Sequence, residues 1–172
     1  MTNAVVEALL TRRSVRTFTE QPIEREILEQ IAQTAIYAPS GMGRQTWQFT
    51  VVTDRENIKR LADAIAAELG REGYDMYRPA ALIIPSNLKE SPFGREDNAC
   101  ALENIFLAAH SFGIGSVWIN QLNNISERPA IRTLLKEFGV PDNHVVYGMA
   151  ALGYAKETPA GKEKIGVIRF AD

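Results

Sequence analysis

The sequence predicts one mixed helix-and-strand domain, a sheet covered by helices on both faces. Three observations predict it. The chain has 172 residues, 45% hydrophobic and 23% charged, the size and composition of an ordinary domain with a proper core. No internal repeat, low-complexity segment or linker divides it. Helical patterns come first and then interleave with strand patterns, an order that layers helices over a sheet.

Ala4, Val5, Ala8 and Leu9 fall at helical spacing and predict a first helix ending near Thr11. Thr17 to Ile23 contains Pro22 and is extended or a turn. Glu24 opens a second helix with Ile27, Leu28, Ile31, Ala35 and Ile36 on one face, stopped by Pro39. Pro39 to Thr46 is a loop, and Trp47 to Thr53 is a strand rich in aromatic and β-branched residues. Asp54 caps a helix over Arg55 to Leu69, closed by Gly70 and Gly73.

Ala80 to Pro85 is a short buried strand, and Asp97 to Phe112 the longest apolar helix. Ala99 to Leu102 and Ile105 to Ala109 wrap most of that helix. It therefore runs through the centre of the domain or forms much of an oligomer interface, with the interface favoured. Ser116 to Asn120 is a strand, Ser126 caps a helix through Phe138, and His144 to Leu152 is the last long strand. The tail, residues 159–172, holds a short strand from Ile165 to Phe170.

Formal net charge is -2, so binding to nucleic acid through overall positive charge is not expected. Any anion site is a local cluster. The single cysteine, Cys100, excludes a disulfide within the chain and fits a reducing, cytoplasmic setting. No signal peptide or bilayer-length apolar run is visible, so neither membrane nor nucleic acid is an expected partner. His110 and His144 are the only histidines and lack partners at metal-ligand spacing, so no metal site is expected.

Three segments can carry chemistry. Arg12-Arg13-Ser14-Val15-Arg16 crowds three guanidinium groups and a hydroxyl, a donor set suited to a phosphate monoester. It equally describes a solvated helix end. Pro39-Ser40-Gly41-Met42-Gly43-Arg44-Gln45 offers backbone N–H groups that can approach a ligand closely, and Gln45 both donates and accepts. That suits the edge of a flat heteroaromatic ring, though an ordinary loop reads the same. Gly113 to Gln121 places Trp118, Ile119 and Asn120 at a strand end, a common ligand position in layered folds. A core strand with a structural Trp is the alternative. Lys162-Glu163-Lys164 in the tail is by itself a solvated charge run.

In combination these segments resemble the nitroreductase family of FMN flavoproteins: Arg-Arg-Ser-Val-Arg-x-Phe, then Ala38-Pro39-Ser40-Gly41-Met42-x-x-Gln45-x-Trp47, then Gly-Ile-Gly-Ser-Val-Trp-Ile119. The resemblance covers essentially the whole chain in the family's order. It implies an α+β fold, a three-layer α/β/α sandwich whose mixed, mostly antiparallel sheet is flanked by helices. It also implies a homodimer with FMN at the interface and the tail on the partner subunit. NADH or NADPH would be co-substrate, and a nitroaromatic, quinone or similar small electrophile the acceptor.

By the same resemblance Arg12, Ser14 and Arg16 hold the FMN phosphate, and the backbone of Arg13 faces the flavin. Pro39, Ser40 and Gly41, with Met42 and Gln45 in the same loop, reach the ring from the other subunit. Trp118, Ile119 and Asn120 lie near the flavin N5 and O4 edge, and Lys162 or Lys164 reaches the phosphate. No side chain is implied as general acid or base. The loop departs from the common pattern Pro-Ser-x-x-Asn-x-Gln-Pro-Trp, with Gly43 for Asn and Thr46 for Pro. Alternatives left open are a flavin carrier or sensor without turnover, and reduction of activated alkenes or halogenated substrates.

Overall fold

The computed structural model describes residues 3–157 and 159–171. Met1, Thr2, Thr158 and Asp172, which belong to the expected single domain and its tail, lie outside the described residues. Among the described residues, five α-helices and five strands follow the order α1 (Ala4–Thr11), α2 (Arg25–Ala35), β1 (Trp47–Val52), α3 (Arg55–Leu69), β2 (Ala81–Leu88), α4 (Gly94–Ser111), β3 (Gly115–Ile119), α5 (Pro129–Glu137), β4 (His144–Val145) and β5 (Met149–Gly153). The sheet runs β1-β2-β5-β3, with β4 also paired to β2. Each of these strand pairs is antiparallel, and the Ser14–Ser116 bridge adds one parallel contact.

Helices cover both faces, as expected. Leu82 and Ile84 of β2 point into a core shared with Ile58, Leu61 and Ile65 of α3 and Ile131 and Leu135 of α5. Ala81 and Ile83 alternate to the other face, against Leu28 and Ile31 of α2 and Leu102 and Ile105 of α4. The α3 boundaries follow from local chemistry. The Asp54 carboxylate accepts from the Asn57 N–H at 2.8 Å, and Gly70 closes the helix at φ 59°.

Five expectations need correction. β2 does not stop at Pro85 but runs to Leu88. Beyond β1, its neighbours are β5 at residues 81–83 and β4 at residues 87–88, so Pro85 falls in the gap between them, where a missing N–H breaks no ladder. The Pro85 carbonyl accepts from the Asn98 side chain instead, at 3.4 Å. Ser126 does not cap α5. The helix begins at Pro129 with Arg128 as its N-cap, because proline's fixed φ and absent N–H suit the first helical position.

His144 to Leu152 is not one strand. Between Val145 and Ala150 the chain takes five steps while β2 takes four, from Asn87 to Ile83, so one residue bulges and the strand divides into β4 and β5. The tail strand from Ile165 to Phe170 does not form within this chain. Those residues are non-regular, and Ile165 is 97% exposed. α4 itself starts earlier than Asp97, at Gly94. It packs on the sheet and α2, yet Cys100, Leu107 and Ala108 stay only half-buried.

Candidate flavin site

The arginine segment leaves α1 as extended backbone and is stitched along the β3 edge of the sheet. The Val15 N–H donates to the Ser116 carbonyl at 2.9 Å. Farther on, the Thr19 N–H donates to the Tyr154 carbonyl at 2.8 Å and the Lys156 N–H to the Thr17 carbonyl at 3.0 Å. Val15 and Phe18 are buried and anchor the segment. Close packing makes this possible: a Cβ on Gly115 would lie 2.8 Å from Val15 Cγ2, and one on Gly153 would lie 2.8 Å from Phe18 Cδ1. Glycine is needed here to let two backbones approach.

The first and third sequence clusters therefore meet. The Arg12 guanidinium stands 5.9 Å from the Phe106 ring centre and 4.0 Å from Glu103 Oε1. Phe106 in turn lies 6.0 Å from the Trp118 ring. Trp118, on β3, is 39% exposed, and its indole N–H donates to Asn120 Oδ1 at 3.3 Å. A cation and a partly open aromatic ring thus lie beside the strand end, and Ser14 pairs with Ser116 near the start of the same strand. Ile119 is buried beneath them and Asn120 is exposed.

Arg13 also caps a helix, and Arg16 lines a different cleft. Arg13 Nη1 donates to the carbonyls of Leu10 at 2.7 Å and Arg12 at 2.9 Å, capping the C-terminal end of α1. Arg12 and Arg13 line a cleft of about 260 Å3 with His110, Ser116 and Pro159. Arg16 instead lines a separate cleft of about 220 Å3 with Arg55, Tyr77, Arg78 and Lys156. Tyr77 and Arg78 bound it in left-handed backbone, at φ 68° and 50°, a conformation that costs bulky residues free energy and concentrates at functional sites. Lys162 and Lys164 are exposed.

The Pro39–Gln45 loop sits at the other end of α4. The Gly41 N–H donates to Asp97 Oδ1 at 2.8 Å, and the Ser40 hydroxyl donates to Asp97 Oδ2 at 3.4 Å. Asp97 and Phe106 are nine residues apart on one helix, roughly 14 Å at 1.5 Å per residue. Within one chain, then, the loop and Arg12 flank opposite parts of α4. Pro39, Met42 and Gln45 are exposed, and Gln45 lines a cleft of about 1080 Å3 between α2 and β1.

Sequence reasoning missed Asp97, Glu103 and Phe106. All three sit on a helix whose apolar wrap hid its functional sides. The one available signal was an acidic residue in the first turn of a largely apolar helix.

The nitroreductase family model matches residues 9–93 and 73–154. This chain belongs to the nitroreductase family. A putative NADH dehydrogenase/NAD(P)H nitroreductase from Archaeoglobus fulgidus is 35% identical over 159 residues, covering 88% of this chain and 86% of its own length. The crystal structure of a nitroreductase with bound FMN from Bacteroides fragilis superposes with a TM-score of 0.89 at 41% identity, covering 99% of this chain and 100% of that one. An iodotyrosine deiodinase from Danio rerio is 37% identical over 192 residues, covering 94% of this chain and 62% of its own length. The fold is the α+β three-layer sandwich of that family.

The residues fit FMN. The Arg12 guanidinium, near the half-open Trp118 ring, and the Ser14 hydroxyl farther along the chain are donor types that suit a phosphate. Just beyond the end of β3, the side-chain oxygens of Gln121 and Asn123 are buried without a hydrogen-bond partner, an arrangement costly to leave unmet. Acceptors there suit the donor edge of a heteroaromatic ring.

Proposed function

We propose that this nitroreductase-family protein passes electrons from NADH or NADPH, through FMN, to a nitroaromatic, quinone or similar small electrophile. The observation that carries it is the Val15–Ser116 backbone bond, which ties the Arg12–Arg16 segment to the strand that ends in Trp118 and Ile119. FMN, when bound, would supply the two-electron redox chemistry between nicotinamide and acceptor. The chain's own part is to bind and orient. Arg12 and Ser14 would hold the phosphate, joined by Lys162 or Lys164. The strand end from Trp118 to Asn120 would border the ring, with backbone N–H groups offsetting charge as it develops there. No side chain is assigned as general acid, and solvent supplies the proton.

The working unit in this proposal is a homodimer. α1 has no buried residue, and Val5, Leu9 and Leu10 on it are exposed. The tail exposes Ile165, Val167, Ile168 and Phe170. Apolar surface on this scale marks an interface. A two-fold axis that sets one α4 antiparallel to its copy brings the Ser40 loop of one subunit toward the Arg12 end of the other, completing a site that one chain divides. The tail then packs on the partner, and the half-buried side of α4 is covered.

The absorbance spectrum of the purified protein tests this, before and after each nucleotide is added without oxygen. Yellow protein that bleaches with NADH or NADPH is the expected result. Colourless protein that takes up no FMN sinks the proposal, and yellow protein that neither nucleotide bleaches favours a flavin carrier. The deiodinase relative supports a second reading, reductive removal of a halogen from an aromatic substrate. A panel of halogenated tyrosines against nitroaromatics and quinones decides between them.

A further inference from the structure

Beneath the Ser40 loop lies a carboxylate with no cation beside it. Asp97 is only 3% exposed, and it forms none of the ion pairs found among the described residues. Burying such a group is costly unless hydrogen bonds compensate. Two compensating donors come from the loop itself, the Gly41 N–H at 2.8 Å and the Ser40 hydroxyl at 3.4 Å. Position in the first turn of α4 adds the positive end of that helix.

The contact extends through the loop. The Ser40 hydroxyl oxygen accepts the Gln45 N–H at 2.9 Å, so one side chain both donates to Asp97 and closes the far end of the loop. Between these points the backbone turns left-handed at Met42 (φ 56°), Gly43 (φ 64°) and Gln45 (φ 49°). Two non-glycine residues are thus held in a conformation that surrounding contacts must impose. From above, the loop is pressed on α4: a Cβ on Gly41 would lie 2.3 Å from Phe93 Cγ. At its exit the Thr46 hydroxyl donates to Asn87 Oδ1 at 2.6 Å.

We infer that Asp97 is a positioning residue, which holds the Ser40–Gln45 loop in the shape that meets the flavin. The inference rests on the proposed function for what the loop touches, but the latch itself does not depend on flavin. Gly41 N–H and the Ser40 hydroxyl are committed to Asp97, so the loop's remaining groups, at its exposed tip, face the ligand. Replacing Asp97 by Asn keeps an acceptor for Gly41 but removes the charge and leaves the Ser40 proton without its acceptor. Replacing it by Ala removes both.

Two measurements on the full chain test the inference. Amide hydrogen exchange on flavin-free protein reads the latch directly. Asp97→Asn should speed exchange at Gly41 and Gln45 at least about tenfold while the core strands keep their protection. FMN titration reads the consequence: affinity should fall about tenfold in Asp97→Asn and further in Asp97→Ala. Ser40→Ala combined with Asp97→Asn should lose less than the sum of the single changes, because both cut one path. Unchanged exchange at Gly41 and Gln45 overturns the inference, as does unchanged FMN affinity with only a lower melting temperature. Should Asp97→Ala fail to fold, Asp97→Asn and Ser40→Ala still decide. A wild-type protein that binds no FMN defeats the proposed function and, with it, the flavin role, leaving the exchange result to judge the latch alone.

Discussion

Gly148 and Trp118 are so close that a Cβ on the glycine would lie 2.6 Å from the indole nitrogen. Gly148 sits in the bulge between β4 and β5, beside the carbonyl of Ile119, which the same Cβ would meet at 3.3 Å. The bulge therefore does more than break a strand. It makes room for the flat face of Trp118 at the strand end.

Gly148→Ala should push Trp118 out of place, since the indole is partly exposed and can move while the Ile119 backbone cannot. Overpacking of this kind costs roughly 1–3 kcal/mol. The expected outcome is a shift in Trp fluorescence and weaker FMN binding, with a smaller fall in melting temperature. A variant with unaltered Trp emission and FMN affinity would show that Trp118 does not border the ligand.

How far the sequence foretold this arrangement varies with the physics involved. α3 was legible at both ends because Asp54 and Gly70 are local signals acting within one turn. The break at Tyr147 and Gly148 was not. His144 to Leu152 reads as continuous strand, and only pairing to two separated parts of β2 divides it. Arg12 and Trp118 each stand out in the sequence as candidates for a ligand site, but their meeting through Phe106 is tertiary. Asp97 was invisible as an anchor because its partners lie 56 and 57 positions away.

The two arginines named together from sequence should part company in experiment. Arg12 lies near Trp118 and lines a different cleft from Arg16. A hydrogen bond to a charged ligand contributes about 1.5–3 kcal/mol, so Arg12→Ala should weaken FMN binding roughly 10- to 100-fold. Arg16→Ala should affect FMN less. Arg13→Ala should lower stability through the lost α1 cap and leave FMN affinity nearer wild type. Isothermal titration with FMN and thermal melts of all three variants check this. Equal losses of affinity at Arg12 and Arg16 would mean both guanidinium groups reach one phosphate.

His144 should give the fold a pH dependence. Burial holds it below its ordinary value of 6.5, a backbone hydrogen bond with Ser86 opposes this, and the charge of Arg132 adds to the lowering. The ring is 8% exposed, with Nδ1 3.0 Å from the Ser86 hydroxyl. Below 6.5 the unfolded chain takes up a proton that the folded chain resists. This contribution is therefore fully present above the unfolded value and is lost as pH falls through the lowered folded value. Denaturant melts between pH 7.5 and about 5 should show wild type losing more stability on acidification than His144→Gln. Parallel curves for the two proteins would contradict the buried-neutral assignment.

Removing residues 159–172 should separate assembly from folding. Among the described residues the tail adds none to either core cluster, so each subunit should keep its helix content and a cooperative melt. What it does expose is Ile165, Val167, Ile168 and Phe170, of which Phe170 is 88% exposed. β1, at one edge of the sheet, offers an unpaired ladder beside the cleft lined by Leu28, Trp47 and Phe49, a place where an extended apolar segment from a second subunit can add. Lys162 and Lys164 leave with the tail, so phosphate binding should weaken as well. Light scattering and FMN titration on the truncated chain give the test. Full-length protein should be dimeric and the truncated form weakly associated, with FMN affinity reduced in step. A Lys162→Ala, Lys164→Ala double variant keeps the apolar residues, so it should remain dimeric while losing FMN affinity. Truncated protein that still dimerises at low micromolar concentration and binds FMN like the full chain would remove the tail from both the interface and the site.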